Sequence, residues 1–316
     1  MSQISIIILN YNTTSYTETC LNSLLLYKDN HVKEIIVTDN NSTDRSIELL
    51  QDKFPEVKFY FKKDNDGFAG GCNFGASKAT GDYLLFLNPD VSIKCNLFSK
   101  LSDHLDSDID AGILSGVMTD ENGNVQYFYN DYPDVSWEIS CMYLPLVEKK
   151  INKLNSNPFI AEKKKFYVDW FHGAFIFIRK TDFESLGRFN ENYFMYYEDV
   201  ELCYKMKNVL NKNNVCLPEL KYYHSRKSSL ANEKTDEIYT FHLNRSKLLF
   251  ISNYNFLKSS GVYLAGLGNV LSRLLILPFW KKYSGNRKQK YIQLKKVLKL
   301  YFSRSYLLRS KYEYIK

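Results

Sequence analysis

Two aspartates follow apolar runs that have the composition of buried strands. Asp39 comes directly after Glu34–Thr38, and the tripeptide Asn-Pro-Asp that ends at Asp90 follows Tyr83–Leu87. A carboxylate is purely a hydrogen-bond acceptor, so Asp39 could receive an N–H of a pyrimidine base. Asp90 could hold a hard divalent cation such as Mg²⁺ or Mn²⁺. Read alone, the first also suits a helix N-cap and the second a turn.

Acidic and imidazole groups recur in the second half of the chain. Glu198 and Asp199 stand where an aromatic run, 192–197, gives way to a predicted helix over Glu198–Leu210. Acids at a helix start either complement the helix dipole or supply a general base. His224 ends a predicted short strand, Leu220–His224. A lone histidine is usually a packed or surface residue, but imidazole is also a common metal ligand.

The elements that must position these groups alternate along the first third of the chain. The patterns predict strands at Ile4–Leu9, Glu34–Thr38, Val57–Phe61 and Tyr83–Leu87, and helices at Tyr16–Tyr27, Thr43–Phe54 and Gly71–Ala79. This alternation predicts a parallel, doubly wound α/β sheet. Ligands bind at the carboxyl ends of such strands. Polar clusters at 10–12, 39–44 and 88–90 occupy three of those ends, which favours a ligand cleft there.

A glycine-rich segment, 65–73 (NDGFAGGCN), precedes the third helix. Glycine lets a backbone approach a ligand closely, and a helix start presents free N–H groups to anions. The spacing is neither G-x-G-x-x-G nor a P-loop. A dinucleotide-dependent oxidoreductase would need the glycine fingerprint directly after strand one, where Asn10, Tyr11, Asn12 and Thr13 stand instead.

The pattern changes after about Gly116. Met118–Tyr127 contains an Asn-Gly pair and predicts a hairpin, 130–165 looks irregular, and Phe166–Arg179 looks like strand. Asp236–Tyr254 predicts a long helix, and the remainder is helical, basic and aromatic.

Composition fits a folded protein: of 316 residues, 45% are hydrophobic and 24% charged, which argues against disorder. Six scattered cysteines without C-x-x-C spacing disfavour a zinc site or disulfide framework and favour reduced thiols. No signal peptide is expected at the N-terminus.

The C-terminal region carries most of the net charge of +7. Val262–Trp280 is apolar but interrupted by Asn269, Ser272 and Arg273, so it predicts an interfacial helix rather than a membrane span. A basic, aromatic tail suits anionic lipid or nucleic acid. The other interpretation is that its apolar stripe packs on the catalytic domain or on a second copy of the chain, which would give a homodimer.

Seven motifs in order resemble those of bacterial family 2 glycosyltransferases with the GT-A fold, and most closely rhamnosyltransferases of cell-surface polysaccharide synthesis. The likeness covers roughly residues 3–230. The motifs are IIILNYN (6–12), VTDNNSTDRS (37–46), NDGFAGGCNFG (65–75), LFLNPDV (85–91), FHGAFIFIRK (171–180), GRFNENYFMYYEDVELCYK (187–205) and YYHSRKSS (222–229).

The resemblance implies a role for each matching position. Asp199 would be the catalytic base, and Asp90 and His224 would bind the divalent cation, Mn²⁺ or Mg²⁺. The acceptor side would hold Trp170, His172, Gly173 and Glu198. The nucleotide-sugar donor would be bound by Asn10, Asn12, Asp39, Asn41, Gly67, Gly70, Asn73 and Asn88. Asn88 replaces the first Asp of the family's D-x-D motif, which leaves fewer carboxylates for the metal.

The resemblance further implies an α/β GT-A (Rossmann-like) sheet, mostly parallel and flanked by helices, with a C-terminal helical extension. Residues 1–235 would be the catalytic domain, divided into a nucleotide-sugar half (1–116) and an acceptor half (117–235), and 236–316 the extension.

The expected reaction is inverting transfer of L-rhamnose from dTDP-L-rhamnose to a glycan or a polyprenyl-diphosphate-linked sugar. The alternatives are another donor, a UDP-hexose or UDP-galactofuranose, or a non-catalytic sugar- or nucleotide-binding module. We expect a cytoplasmic protein, peripheral on the inner face of the membrane, with no nucleic acid partner.

Overall fold

The computed structural model of the protein describes residues 2–44, 46–141, 144–225, 233–254, 256–279 and 287–312. They divide into two units. The first, the sheet unit, comprises Met1–Asn130, Leu154–Glu191 and Glu198–Ser229. The second, the helical unit, comprises Asp131–Lys153, Asn192–Tyr197 and Leu230–Lys316. Two short segments that come well before residue 236 in the sequence therefore fold with the C-terminal helices.

Four parallel strands begin the sheet unit: β1 (Ile4–Asn10), β2 (Val32–Asp39), β3 (Lys58–Phe61) and β4 (Tyr83–Leu87), in the spatial order β3-β2-β1-β4. All seven residues of β1 and all five of β4 are buried. Continuous apolar runs of this kind belong to parallel strands that are covered on both faces. The predicted strands are confirmed.

Helices α1 (Thr14–Tyr27), α2 (Ser46–Lys53) and α3 (Gly67–Lys78) connect these strands. The prediction began α3 at Gly71, one turn too late, because glycine has low helix propensity. Packing on the sheet overrides that propensity here. A Cβ on Gly75 would lie 2.7 Å from Cγ2 of Ile7 on β1, and one on Gly71 would collide with Leu9.

The other strands make the sheet mixed: β5 (Val91–Ile93), β6 (Ala111–Thr119), β8 (Phe166–Val168), β10 (Phe175–Arg179) and β11 (Asn213–His224). β10 lies antiparallel between β4 and β6, and β11 runs parallel to β6 while pairing antiparallel with β5 and β8. Six of the nine strands therefore point the same way, which confirms the predicted mostly parallel sheet. Flanking helices are α4 (Phe98–Ser107), α8 (Lys180–Ser185) and α9 (Glu198–Asn208).

The middle of the chain corrects two predictions. Residues 130–165 are not irregular: they contain α5 (Val135–Ser140), α6 (Leu144–Asn155) and α7 (Pro158–Ala161). Phe166–Arg179 is not one strand, because β9 (Trp170–Phe171) leaves β8 to pair with β7 (Tyr129–Asn130) in a separate two-stranded sheet.

The predicted hairpin at Met118–Tyr127 is confirmed. Thr119 and Val125 form an antiparallel bridge. Gly123 has φ +83° and donates its N–H to the carbonyl of Asp120 at 3.0 Å. Asn-Gly suits a tight turn because glycine reaches positive φ without strain.

The helical unit confirms the predicted C-terminal helical extension. It contains α10 (Glu233–Tyr254), α11 (Phe256–Ile276), α12 (Arg287–Phe302) and α13 (Arg304–Arg309), with α10, α11 and α12 packed on one another and α5 packed on α11. Lys247 on α10 pairs with the buried Glu138 on α5 at 2.8 Å. Of the predicted basic, aromatic tail, residues 280–286 and 313–316 lie outside the described residues.

Helix α11 has two different apolar faces. Val262 and Val270 are buried within the unit. Leu264, Leu271 and Leu275 are exposed and follow one another at seven- and four-residue intervals, which places them on one side. Phe279, also exposed, ends the 3₁₀ turn Leu277–Phe279 that follows α11. By length and composition, Ser259–Phe279 could cross a membrane. The predicted stripe thus faces the unit's own interior on one side and the surface on the other.

Candidate active site

Polar side chains converge where β2, β1 and β4 end, since these three strands are neighbours. Asn10 ends β1 and is fully buried, and its Nδ2 donates to Oδ1 of Asp39, the last residue of β2, at 2.8 Å. Asn10 Oδ1 accepts the hydroxyls of Thr13 and Thr17 at 2.9 and 2.8 Å. Asn10 therefore fixes the Asp39 carboxylate.

Asp39 is 5% exposed and has three donors. Besides Asn10, the hydroxyl of Ser42 donates to Oδ1, and the N–H of Ser42 donates to Oδ2 at 2.8 Å. A carboxylate offers about four acceptor positions, so Oδ2 retains capacity for one more donor. Asp39 therefore shapes the turn after β2 and can still accept a ligand N–H.

The two asparagines predicted beside Asp39 both have left-handed backbone, with φ +54° at Asn12 and +66° at Asn41. Oδ1 of Asn12 accepts the N–H groups of Thr43 and Asp44 at 2.8 and 3.2 Å. This ties the loop after β1 to the loop after β2. Asn41 is exposed at the tip of that second loop.

The glycine-rich segment is tied to the same strand end. Gly67 begins α3 with φ +84°. Buried Asn40 donates from Nδ2 to Oδ1 of Asn65 at 2.8 Å and to the carbonyl of Gly67 at 3.0 Å. Its own Oδ1 has no hydrogen-bond partner among the described residues. A buried acceptor of this kind, beside a helix start, suits a ligand with a donor group.

The structure gives Gly70 and Asn73 packing and positioning contacts. A Cβ on Gly70 would lie 2.6 Å from Cβ of Asp66, so this glycine accommodates the previous turn. Nδ2 of Asn73 donates to the carbonyl of Phe189 at 2.8 Å and to Glu191 at 2.9 Å, and its Oδ1 accepts the N–H of Phe189 at 3.1 Å. Asn73 thus anchors the loop that precedes α9.

Asp90 and His224 meet across the pairing of β5 with β11. His224 is the partner of Val91 in that pairing, and its Nε2 lies 3.1 Å from Oδ1 of Asp90. Both side chains are about 5% exposed or less. Neither ring nitrogen of His224 makes a hydrogen bond of normal geometry among the described residues. The imidazole therefore presents a lone pair or an N–H that lacks an aligned partner.

This donor set fits one hard divalent cation. Two neighbouring ligands about 2.1 Å from an octahedral ion lie about 3.0 Å apart, close to the 3.1 Å observed. No group of three or more His, Cys, Asp or Glu side chains clusters as a metal site within the described ranges. Asp90 and His224 would therefore hold an ion that takes its other ligands from substrate oxygens and water.

The short segment His172–Ala174 connects this pair to the predicted base. The carbonyl of Ala174 accepts the N–H of Asn88 at 3.1 Å. The rings of His172 and His224 lie 6.2 Å apart. The N–H of Gly173 donates to Oδ2 of Asp199 at 2.7 Å. Residues predicted for the metal, the acceptor side and the base thus gather around three consecutive residues.

Asp199 and Glu198 are adjacent buried acids with different surroundings. Asp199 accepts the N–H groups of Gly173 and Val200, at 2.7 and 2.8 Å, and these stabilise a negative charge. Glu198 is 4% exposed, and its Oε2 has no partner among the described residues. Burial first, and then the charge of Asp199, raises the pKa of Glu198 well above its usual value. This arrangement favours the protonated form of Glu198 beside the hydrogen-bonded carboxylate of Asp199.

Trp170 lies on β9, with its ring 6.4 Å from that of Tyr127.

Sequence reasoning missed Gln126 and Asn40. Nε2 of Gln126, at the end of the predicted hairpin, donates to the carbonyl of His224 at 3.2 Å. Nothing local signals that contact, since 98 positions separate the two. Asn40 stands inside the polar cluster after β2, which was a usable signal. Residues 226–229, the end of the motif that contains His224, lie outside the described residues.

Comparison with known proteins agrees with this geometry. The family model described as glycosyl transferase family 2 matches residues 5–186. The chain is 27% identical over 212 residues to the low-salt glycan biosynthesis hexosyltransferase Agl10 of Haloferax volcanii, covering 66% of this chain and 62% of Agl10. The chain thus spans less than two thirds of the length of that relative.

Two bacterial relatives are rhamnosyltransferases. WbbL of Escherichia coli K12 is 28% identical over 207 residues, covering 64% of this chain and 75% of WbbL. The N-acetylglucosaminyl-diphospho-decaprenol L-rhamnosyltransferase of Mycobacterium tuberculosis is 22% identical over 260 residues, covering 78% of this chain and 83% of the relative.

Solved structures confirm the GT-A fold. GalNAc-T7 with UDP, GalNAc and Mn²⁺ superposes with a TM-score of 0.63 at 14% identity, covering 99% of this chain and 58% of that one. The mannosyltransferase PcManGT of Pyrobaculum calidifontis with GDP-Man and Mn²⁺ superposes with a TM-score of 0.56 at 13% identity, covering 95% and 86%.

Proposed function

Since this chain belongs to glycosyl transferase family 2, we propose that it transfers a sugar from a nucleoside diphosphate donor to an acceptor hydroxyl with inversion. One observation carries the proposal. The segment His172–Ala174 contacts the Asp199 carboxylate at Gly173 and the strand end of Asn88 at Ala174. A base and a leaving-group site on either side of one short segment are what a single displacement requires.

The strand ends form the donor side of the proposed site. Asp39 accepts the N–H of the pyrimidine base at the unfilled position of Oδ2, while Asn10 and Ser42 hold it. Asn12, Asn41 and Asn88, together with Gly67 at the start of α3, line the path of the diphosphate, where a helix start favours negative charge. Gly70 and Asn73 act indirectly, by shaping α3 and its contact with Phe189.

Asp90 and His224 would hold the divalent cation, Mn²⁺ or Mg²⁺, beside the diphosphate. Such an ion neutralises the charge that develops on the departing nucleoside diphosphate. The chain's own part is to keep one carboxylate and one imidazole 3.1 Å apart in a buried setting. Mn²⁺ appears in both superposed structures, which supports this assignment without fixing the metal.

On the acceptor side, Asp199 accepts the proton of the attacking hydroxyl. Gly173 orients Oδ2 through its N–H, and the neutral Glu198 beside it adds no second negative charge to the pocket. Trp170 and His172 supply flat surfaces on which a sugar ring can lie. The acceptor oxygen attacks the anomeric carbon as the bond to the diphosphate breaks, so the configuration inverts and no covalent enzyme intermediate forms.

For the donor, we propose dTDP-L-rhamnose. The names of the two bacterial relatives support it. A UDP-hexose or UDP-galactofuranose is the alternative, because a pyrimidine base would meet Asp39 in the same way. The mycobacterial relative's name also supports a lipid-diphosphate-linked sugar as the acceptor.

We further propose that the protein works at the cytoplasmic membrane surface. The exposed face of α11 carries Leu264, Leu271 and Leu275, and the exposed Phe279 follows in the next turn; α12 contributes basic residues. Apolar side chains enter the interface while Lys and Arg bind anionic headgroups. The alternative is that two copies of the chain form a dimer through this face.

A donor screen tests the activity. Purified protein with Mn²⁺ is given dTDP-L-rhamnose, UDP-glucose, UDP-galactofuranose or GDP-mannose, together with a lipid-linked N-acetylglucosamine diphosphate acceptor. We expect nucleoside diphosphate release and an inverted product to be fastest with dTDP-L-rhamnose. Faster turnover of a UDP-sugar would replace the donor and keep the reaction class. Saturable donor binding without any transfer, across a panel of acceptors, would instead mark a non-catalytic binding module.

A further inference from the structure

The helical unit contains two adjoining cavities that the proposed reaction does not use. The larger one, about 710 Å³, is bordered by α10, α11, α12 and α13, and the smaller one is about 200 Å³. They share the lining residues Ser252, Asn253, Arg304 and Leu307. The larger volume falls in the range of about 300–1,000 Å³ that is typical of small-molecule sites.

The two cavities differ in chemistry. The larger is lined by the aliphatic side chains Leu248, Ile251, Leu264, Leu300 and Leu307, with Tyr263 and Tyr301 among them. The smaller holds two guanidinium groups, those of Arg245 and Arg304. The rest of its lining is Asn192, Tyr193, Leu249, Ser252, Asn253, Leu307 and Leu308. A largely apolar cavity beside one that holds two guanidinium groups is complementary to an amphipathic anion.

Arg245 is the unusual residue of this region. It is 1% exposed, yet no carboxylate pairs with it among the described residues. Its Nη atoms donate to the carbonyls of Asn192 and Leu308 at 3.0 and 3.3 Å, and its Nε has no partner there. Burial lowers the pKa of Arg245 to about 10. A buried cation without a counter-charge is costly, so an anion that pairs with it would be strongly favoured.

The surrounding sequence supplies no such anion. From Arg245 to Tyr312 the chain has fifteen Lys or Arg residues and no Asp or Glu. Arg304, at the start of α13, is exposed and lines both cavities. It is therefore placed to contact a headgroup from the solvent side while Arg245 contacts it from the interior.

We propose that these cavities bind a lipid phosphate ester, with the phosphate between Arg245 and Arg304 and the hydrocarbon chain along the aliphatic wall. Guanidinium groups suit this role because their planar N–H pairs match phosphate oxygens. This inference does not depend on the proposed glycosyl transfer. It assigns to the helical unit a ligand site of its own.

Binding of dodecyl phosphate to the full-length protein tests the proposal. The amphiphile is used below its critical micelle concentration, and calorimetry and thermal shift are the readouts. We expect saturable binding with one ligand per chain and an increase in Tm. Dodecanol and inorganic phosphate should each bind at least about tenfold more weakly, since each offers half of the interaction. Equal binding of dodecanol, or equal binding of phosphate alone, would overturn the proposal.

Two variants and a control locate the site. Arg304→Ala should weaken dodecyl phosphate binding about tenfold or more, whereas Arg287→Ala should not, because Arg287 is equally exposed but lines neither cavity. Arg245→Met should abolish the preference for dodecyl phosphate over dodecanol. If Arg245→Met does not fold, the difference in dodecyl phosphate affinity between Arg304→Ala and Arg287→Ala still shows whether the ligand binds at the cavities. Equal losses in both of those variants would mean general surface attraction and would overturn the assignment.

Discussion

His224 places its Nε2 3.1 Å from Oδ1 of Asp90, although 134 positions separate them in the chain. The antiparallel pairing of β5 with β11 creates this contact, since His224 is opposite Val91. Asp90 directly precedes β5 and His224 ends β11, so the pairing of these two strands fixes the separation of the two ligands. Such rigidity is what a site needs when substrate oxygens complete the coordination of the metal.

Replacing His224 should weaken metal binding. In His224→Gln we expect the apparent affinity for Mn²⁺, measured by calorimetry in the presence of the donor diphosphate, to fall about 10- to 100-fold. His104→Gln, a change in a histidine of α4 that lies 3.9 Å from Asp108, is the control and should leave it unchanged. If His224→Gln binds Mn²⁺ as tightly as the wild type does, His224 is not a metal ligand and Asp90 is the remaining candidate.

Asp199→Asn should remove the base and spare the donor site. The side chain keeps its shape but cannot take a proton, so we expect kcat to fall about 10²- to 10⁴-fold. The dissociation constant of the nucleoside diphosphate, measured separately, should remain within about twofold of the wild-type value. Near-normal turnover in this variant would show that another group is the base.

Gly173→Ala should disturb the position of the base. An added Cβ would lie 3.2 Å from Oδ2 of Asp199, closer than an ordinary contact. Small displacements of a reacting group cost up to about 10²-fold in rate, so we expect a lower kcat with unchanged donor binding. Gly187→Ala is the control: its φ of +79° makes it strained, but nothing lies within 4 Å. It should lower Tm and leave kcat intact; an equal fall of kcat in both would refute the positioning role.

Glu198→Gln should change how stability depends on pH. Burial raises the pKa of Glu198 in the folded state, whereas in the unfolded chain it is about 4.3. Between these two values the folded protein holds a proton that the unfolded chain has lost. The free energy of unfolding therefore decreases as pH rises, by up to about 1.4 kcal/mol per pH unit.

Glutamine resembles the protonated acid and has no proton to lose. The Tm of the wild type relative to that of Glu198→Gln should thus be highest at and below the unfolded-state pKa of about 4.3 and should decline as pH rises above it. Glu184 lies on the surface of α8, and Glu184→Gln is the control. Its Tm should follow the same pH dependence as that of the wild type. Parallel curves for Glu198→Gln as well would mean that Glu198 is ionised in the folded protein.

The exposed face of α11 should decide membrane binding. Leu275 is 76% exposed and Leu26 on α1 is 73% exposed. Replacing each with Glu therefore makes the same chemical change at similarly exposed sites that differ only in location. Inserting one leucine side chain into an apolar phase contributes about 1.5–3 kcal/mol. Leu275→Glu should therefore reduce flotation with anionic vesicles about ten- to a hundredfold, and high salt should reduce it further. Leu26→Glu should float like the wild type.

If neither the wild type nor either variant floats, the membrane proposal is wrong. In that case α11 would use this face for contact with another protein surface. Sedimentation would then show a dimer in the wild type and a monomer in Leu275→Glu.

Much of the sheet and of the candidate site follows from local sequence pattern. Buried parallel strands are continuous apolar runs, and both β1 and β4 have that form. The rule that ligands bind at carboxyl strand ends then brings the clusters of Asn10, Asp39 and Asn88 to one edge before any coordinates exist. Acids at the start of α9 were also visible, because the aromatic run stops where the helix begins.

Only the tertiary structure decided which groups touch. The raised pKa of Glu198 depends on burial, and Asp199 is hydrogen-bonded by Gly173, which is 26 positions away. Asn73 binds the backbone at Phe189, 116 positions away. Helix α5 has only six residues, too few to show a helical period, and its packing on α11 stabilises it. The physical reason is range: periodicity and turn chemistry act over a few residues, whereas strand register and burial join residues from distant parts of the chain.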